Sequence, residues 1–173
     1  MRISTLRLCA AFYVALAVPA IAAPACLTPE EASAVQVRQF HTRLQVAALK
    51  CGGPGWGLRD RYNAYVMAFG GSLSANAKAL RAALSRTGVA RTDAQFDRFI
   101  TRIANRASGE AENTADYCLE HREMLDAMLS GAPSGLGAFA AAHEPPVSGP
   151  GLCVAVPEIQ SAAVPRRRTE TPR

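Results

Sequence analysis

The stretch Thr28-Pro29-Glu30-Glu31-Ala32-Ser33-Ala34-Val35-Gln36-Val37-Arg38-Gln39-Phe40-His41-Thr42-Arg43-Leu44-Gln45-Val46-Ala47-Ala48-Leu49-Lys50-Cys51 decides the fold class. Thr28 can cap a helix, Pro29 suits the first helical position, and Glu31 completes a capping box. Val37, Phe40, Leu44, Ala47 and Cys51 then recur in steps of three and four, which is one face of an α-helix. Gly52-Gly53 supplies a stop. A half-buried strand would need apolar and polar residues to alternate, and no such pattern occurs between Cys26 and Gly131.

The same periodicity continues outward from this helix. A second helix follows the glycine-rich turn Gly52-Gly53-Pro54-Gly55-Trp56-Gly57, with Tyr62, Val66, Phe69, Leu73, Ala77, Leu80 and Leu84 on its face. The register runs straight through Gly70-Gly71, so one long helix bent at the glycines is expected. A true break with Ser72 as a new cap is the alternative. Gly88 ends it, and Thr92-Asp93-Ala94-Gln95 is another capping box. The third helix carries Phe96, Ile100, Ile103 and Ala107, and Ser108-Gly109 is expected to interrupt it. A fourth carries Ala115, Cys118, Leu125, Met128 and Leu129 and stops at Gly131, with Pro133 just beyond. The expected fold is therefore all-α: a four-helix, bundle-like domain over 26–131, followed by a Pro/Gly/Ala-rich, mostly irregular tail over 132–173. Phe139 and Leu152-Cys153-Val154-Ala155-Val156 could anchor that tail.

Residues 1–25 read as a secretory signal peptide. Arg2 and Arg7 precede an apolar run from Leu8 to Ala22, and Ala20-Ile21-Ala22 and Ala23-Pro24-Ala25 both satisfy the small-x-small cleavage rule. The run is short for a membrane span and is interrupted by Pro19. Removing it removes Cys9 and leaves Cys26, Cys51, Cys118 and Cys153, an even set that implies disulfides in an oxidising compartment, periplasmic or secreted. Lipidation of Cys26 is not expected: Ala23 stands where a lipobox carries Leu, and three cysteines would remain.

Of the three ways to pair four cysteines, helix geometry removes one. Cys26 and Cys51 flank a helix whose rise separates them by roughly 35 Å, far beyond disulfide reach. Two pairings survive. Antiparallel packing of the first and fourth helices would bring Cys51 to Cys118 and Cys26 towards Cys153, and this pairing is expected. The spacings are too wide for a zinc knuckle, and there is no Cys-x-x-Cys for redox work.

The whole chain carries a formal charge of +5, and the 148 residues after Ala25 carry +3. That excess is too mild to suggest nucleic acid. The distribution is uneven: Thr28–Ser108 holds 12 basic and five acidic residues, and Gly109–Leu129 holds one basic and six acidic. Arg98, Arg102 and Arg106 form a ridge at helical spacing, and Arg166-Arg167-Arg168 forms a second cluster near the end. An anionic surface or another envelope protein could meet these arginines. The plainer reading pairs the ridge with the acidic fourth helix, Glu110 to Asp126.

No motif specifies catalysis. His121-Arg122-Glu123 has the letters of half a deaminase zinc site without the cysteine half. There is no His-Glu-x-x-His and no Gly-x-Ser-x-Gly. His41 and His121 are expected at helix surfaces, although an unfamiliar enzyme site around His121, Glu123 and His41 is conceivable. Tyr62, Tyr65 and Phe69 are expected in the core, with Asn63, Asn76 and Asn105 as partners for tyrosine hydroxyls. No cofactor is implied.

The runs Tyr62-Asn63-Ala64-Tyr65-Val66, Phe99-Ile100-Thr101-Arg102-Ile103-Ala104-Asn105 and Tyr117-Cys118 resemble those of small exported, cysteine-containing helical proteins of Gram-negative bacteria. The resemblance spans about Cys26 to Leu129 and excludes the tail. It implies a periplasmic address and supplies neither an activity nor catalytic residues. The expected function is thus a non-enzymatic binding or interaction module of the cell envelope.

Overall fold

The structure, a computed structural model, describes residues 25–155 apart from 54, 115, 132–134 and 150. It has five helices: α1 (Pro29–Lys50), α2 (Leu58–Arg86), α3 (Asp93–Asn113), α4 (Tyr117–Leu129) and α5 (Gly135–His143). Among the described residues there is no strand, only one isolated parallel bridge between Leu27 and Val154. The fold is all-α, and α1 is its axis, touching each of the other four helices.

Local chemistry sets the starts. Thr28 Oγ1 accepts from the Glu31 amide at 3.2 Å, while Glu31 Oε2 accepts from the Thr28 amide at 2.9 Å. Thr92 and Gln95 do the same for α3. Each box satisfies amides that the first turn cannot pair internally. After α2 the chain reverses at Gly88, whose φ of 81° is open to glycine at little strain.

The second helix is the single long one expected, continuous through Gly70 and Gly71, and the alternative cap at Ser72 is not used. Two expectations about the elements change. The α3 helix passes through Ser108-Gly109 to Asn113, where burial of Ala107 and Ala111 one turn apart offsets two weak helix formers. The tail contributes α5, which lays Leu136 and Ala140 into the core. It packs close to α1: a Cβ on Gly137 would meet Ser33 Oγ at 3.2 Å.

The core is two clusters strung along α1. The first gathers Leu27, Ala34 and Val35 against Leu80, Ala83 and Leu84 of α2, and Phe99 and Ile103 of α3. The second gathers Val37, Phe40, Leu44 and Ala47 against Leu58 and Tyr65 of α2, Tyr117, Leu125 and Met128 of α4, and α5. Each has a disulfide at its edge. Cys51–Cys118 joins the end of α1 to the first turn of α4, and Cys26–Cys153 fastens the returning chain beside Leu27. This is the pairing that antiparallel packing of α1 and α4 favours.

After α5 the chain runs back along α1 as a strap over 144–155. Pro145 O accepts from Gln36 Nε2 at 3.3 Å. Farther on, Leu27 N donates to Cys153 O and Ala155 N to Leu27 O, both at 2.8 Å. Val147 and Leu152 pack on the first cluster. The strap closes over the side of α1 that faces α3, and this positions the candidate site.

Candidate functional site

Arg98, Arg102 and Arg106 lie exposed on α3. The ion pairs among the described residues are Arg43–Glu144, Arg61–Asp126, Arg81–Asp93 and Arg86–Glu31. The ridge therefore has no carboxylate partner there, and of the acidic residues of α4 only Asp126 pairs with a basic neighbour. The acidic fourth helix thus makes no direct ion pair with the ridge among the described residues, and Arg106 alone of the three borders a hollow with carboxylates, Glu110 and Glu144. Arg102 instead lies over the Phe99 ring, 5.7 Å from its centroid, a cation–π contact that holds the guanidinium on the apolar floor. Arg166, Arg167 and Arg168 lie outside the described residues, as does the leader apart from Ala25.

Between α3, α1 and the strap lie two adjoining hollows. The outer, about 90 Å3, is bordered by Arg102, Arg106, Gln39, Ser148 and Gly149 over a floor of Val35, Phe99, Ile103 and Leu152. The inner, about 20 Å3, is bordered by Arg43, Arg106, Gln39, Glu110 and Glu144. Arg106 and Gln39 belong to both. The inner hollow has room for about one water, the outer for several.

The inner hollow is electrostatically unusual. Arg43 Nη2 sits 3.0 Å from Glu144 Oε1, with the two side chains 17% and 6% exposed. The same nitrogen donates to His143 O at 2.8 Å. The pair is a charge contact rather than an aligned hydrogen bond, since Glu144 Oε1, Arg43 Nε and Gln39 Oε1 are all buried without a hydrogen-bond partner. Burial pushes the Glu144 carboxyl up to about 7; the Arg43 charge opposes this, Glu110 adds to it and Arg106 opposes it. Desolvation thus outweighs the cation beside it.

The histidines and tyrosines occupy other surroundings. His121 is buried, 2% exposed, and not at the surface as expected. Its Nδ1 lies 2.7 Å from Tyr117 O, its ring packs 3.9 Å from Tyr117, and its Nε2 has no partner. Burial lowers its pKa, against the pull of the Tyr117 carbonyl. The spacing Tyr117, His121, Leu125, Met128 marks a single helix face and could have placed it. Glu123, two residues on, is exposed along a groove between α4 and α5. His41 is half-buried against Tyr62 and Tyr65, both at 5.9 Å. Burial and then the Arg38 charge pull it down to about 4. No contact joins His41 to His121 or Glu123 among the described residues, and no group of three or more His, Cys, Asp or Glu side chains there could hold a metal.

Of the tyrosine partners expected, Asn76 is engaged elsewhere, donating to Ala34 O at 3.1 Å, and Asn63 and Asn105 are exposed. The Tyr65 hydroxyl is buried unpaired, and burial raises its pKa. Tyr117 donates to Arg43 O at 3.3 Å.

Sequence reasoning missed Gln39, Arg43, Glu144 and Ser148. A signal existed for one of them, since Glu144 is the sole acid between Asp126 and Glu158 and follows an apolar, helix-spaced run. No protein-family model, curated protein or solved structure matches the chain.

Proposed function

We propose that this protein is an exported, non-enzymatic binding module whose partner is anionic and is received on the face formed by α3 and the strap. The observation that carries this reading is the placement of Arg102 and Arg106. Two guanidinium groups without a carboxylate partner among the described residues border a hollow with an apolar floor. A cluster of like charges on one helix face is unfavourable for the isolated protein, and an anion relieves it. Arginine suits such a role because its planar fork grips oxyanions through two donors.

Two disulfides and the absence, among the described residues, of any helix long and apolar enough to cross a membrane are compatible with export. The leader-like composition of 1–25 supports it. Intact mass of protein recovered from the periplasm, before and after reduction, tests export: loss of the leader with four blocked thiols is expected, and free thiols would overturn it. Retention on an anionic matrix tests the binding face. Arg102→Ala with Arg106→Ala should elute at distinctly lower salt than the wild type, and unchanged elution would overturn the assignment.

A further inference from the structure

The two hollows share Arg106 and Gln39, and this sharing has a chemical consequence. The outer hollow offers guanidinium groups from Arg102 and Arg106 and a hydroxyl from Ser148. Across Arg106 lies the buried Glu144 carboxyl. The groups facing Glu144 are Arg43 from α1, Arg106 and Glu110 from α3, and His143 beside it at the end of α5. Two cations and two carboxylates thus meet around one hollow with space for about one water.

We propose that the outer hollow binds a small oxyanion between Arg102 and Arg106, and that Glu144 is its proton switch: the anion is held tightly when Glu144 is neutral and weakly when it is ionised. This rests on the anionic-partner reading above and adds to it the size of the ligand and its control. The outer hollow, about 90 Å3, has room for a tetrahedral or carboxylate head. Ser148 and Gly149 of the strap border it, which favours a free ion over a headgroup fixed in a bilayer.

The coupling is electrostatic. An ionised Glu144 competes with the bound anion for the Arg106 charge and repels the anion across a poorly hydrated gap, where such interactions are stronger than in water. Adding a proton removes both effects. The neutral carboxyl also becomes a donor, and Gln39 Oε1, the unpartnered acceptor on the same hollow, is the kind of group that takes it. Reciprocity then requires that the anion raise the affinity of Glu144 for its proton by the same factor. Because burial already holds this carboxyl near neutrality, the switch falls where periplasmic and external pH vary.

The test is calorimetric titration of the full exported protein with sulfate, whose charge is the same at pH 5.5 and pH 8.5. Wild type should bind about tenfold more tightly at pH 5.5, a coupling within the usual range. Glu144→Gln, a neutral isostere, should bind at both pH values with the affinity of the wild type at pH 5.5. Arg106→Ala should lose binding at both. Equal wild-type affinity at the two pH values overturns the switch. A pH dependence that persists in Glu144→Gln also overturns it. Vesicles of phosphatidic acid form a second arm: binding to vesicles without binding of sulfate overturns the small-ion site. If sulfate fails to bind while the anionic matrix still retains the protein, the inference fails and the broader reading stands. If neither binds, both fall.

Discussion

The N-terminal end of α1 and its middle are built on different terms. At the N-terminal end, Ala34 and Val35 meet Leu80, Leu84 and Phe99, the cap is a complete box, and among the described residues no buried side-chain polar atom there lacks a partner. In the middle, Arg38, Gln39, His41 and Arg43 occupy fewer than two turns, and each leaves a buried nitrogen or oxygen without a hydrogen bond. Tyr65, His121 and Glu144 add the same from α2, α4 and the strap. An unmade buried hydrogen bond costs about 1–3 kcal/mol, so this belt reduces the stability that the dry end supplies.

The largest expected effect tests the belt. Arg43→Met leaves Glu144 without its cation and should destabilise by about 3–5 kcal/mol at pH 8. Denaturant unfolding should show that loss shrinking towards pH 5, as the carboxyl is protonated; a loss of equal size at both pH values would argue that Arg43 acts by packing. Next is the dry end: Leu84→Ala should remove about 3 kcal/mol, with no dependence on pH, and a strong pH dependence would break the contrast.

The pH profile itself separates two groups within the belt. His41 has a folded pKa near 4 against an ordinary 6.5, so the unfolded chain binds the proton first. Its contribution is fully present above pH 6.5 and is lost as pH falls towards 4, on the order of 2 kcal/mol after allowing for its partial exposure. Glu144 works the other way. Its folded pKa is raised to about 7 from 4.5, so the folded state is stabilised at low pH and loses that contribution as pH rises from 4.5 through 7. Between pH 4.5 and 6.5 the two oppose each other. His41→Phe should therefore reduce the acid decline and leave the share contributed by His121, whose pKa burial also lowers; a decline of undiminished size would clear His41 of the effect. The smallest change is Tyr65→Phe, which deletes an unpaired buried hydroxyl and should stabilise by about 1 kcal/mol. A loss in its place would mean that the hydroxyl has a water or ligand partner.

Much of the dry end is legible in the sequence. Capping boxes are local, and the steps of Val37, Phe40, Leu44 and Ala47 leave one interpretation. The belt is not legible in the same way, because it is made by meetings across helices. His121 looks like a surface residue until its neighbours Tyr117 and Leu125 are seen to share its buried face. On α2 the fully buried aromatic is Tyr65, whereas Tyr62 and Val66 on the expected stripe are half-covered. A helix packed by α1 on one side and α4 on another has no single inner line. The α5 helix was hidden by composition: Gly135-Leu136-Gly137-Ala138-Phe139-Ala140-Ala141-Ala142-His143 has no polar face to contrast with an apolar one. Its steps Leu136, Phe139, Ala140 and His143 were nevertheless helical. Of the candidate site, the arginine ridge could be read ahead, and the Cys26–Cys153 pairing announced that the tail returns; the hollow between them was not legible, because it depends on the path the strap takes along α1.

The clasp at Cys26 and Cys153 has a further consequence for proteolysis. With the second bond at Cys51 and Cys118, it makes residues 26–153 a closed covalent circuit with a crossbar. A single cut in the turn between α1 and α2, or between α4 and α5, would open the backbone and release no fragment. The nicked molecule would keep its mass, apart from one added water, until a reductant reached it.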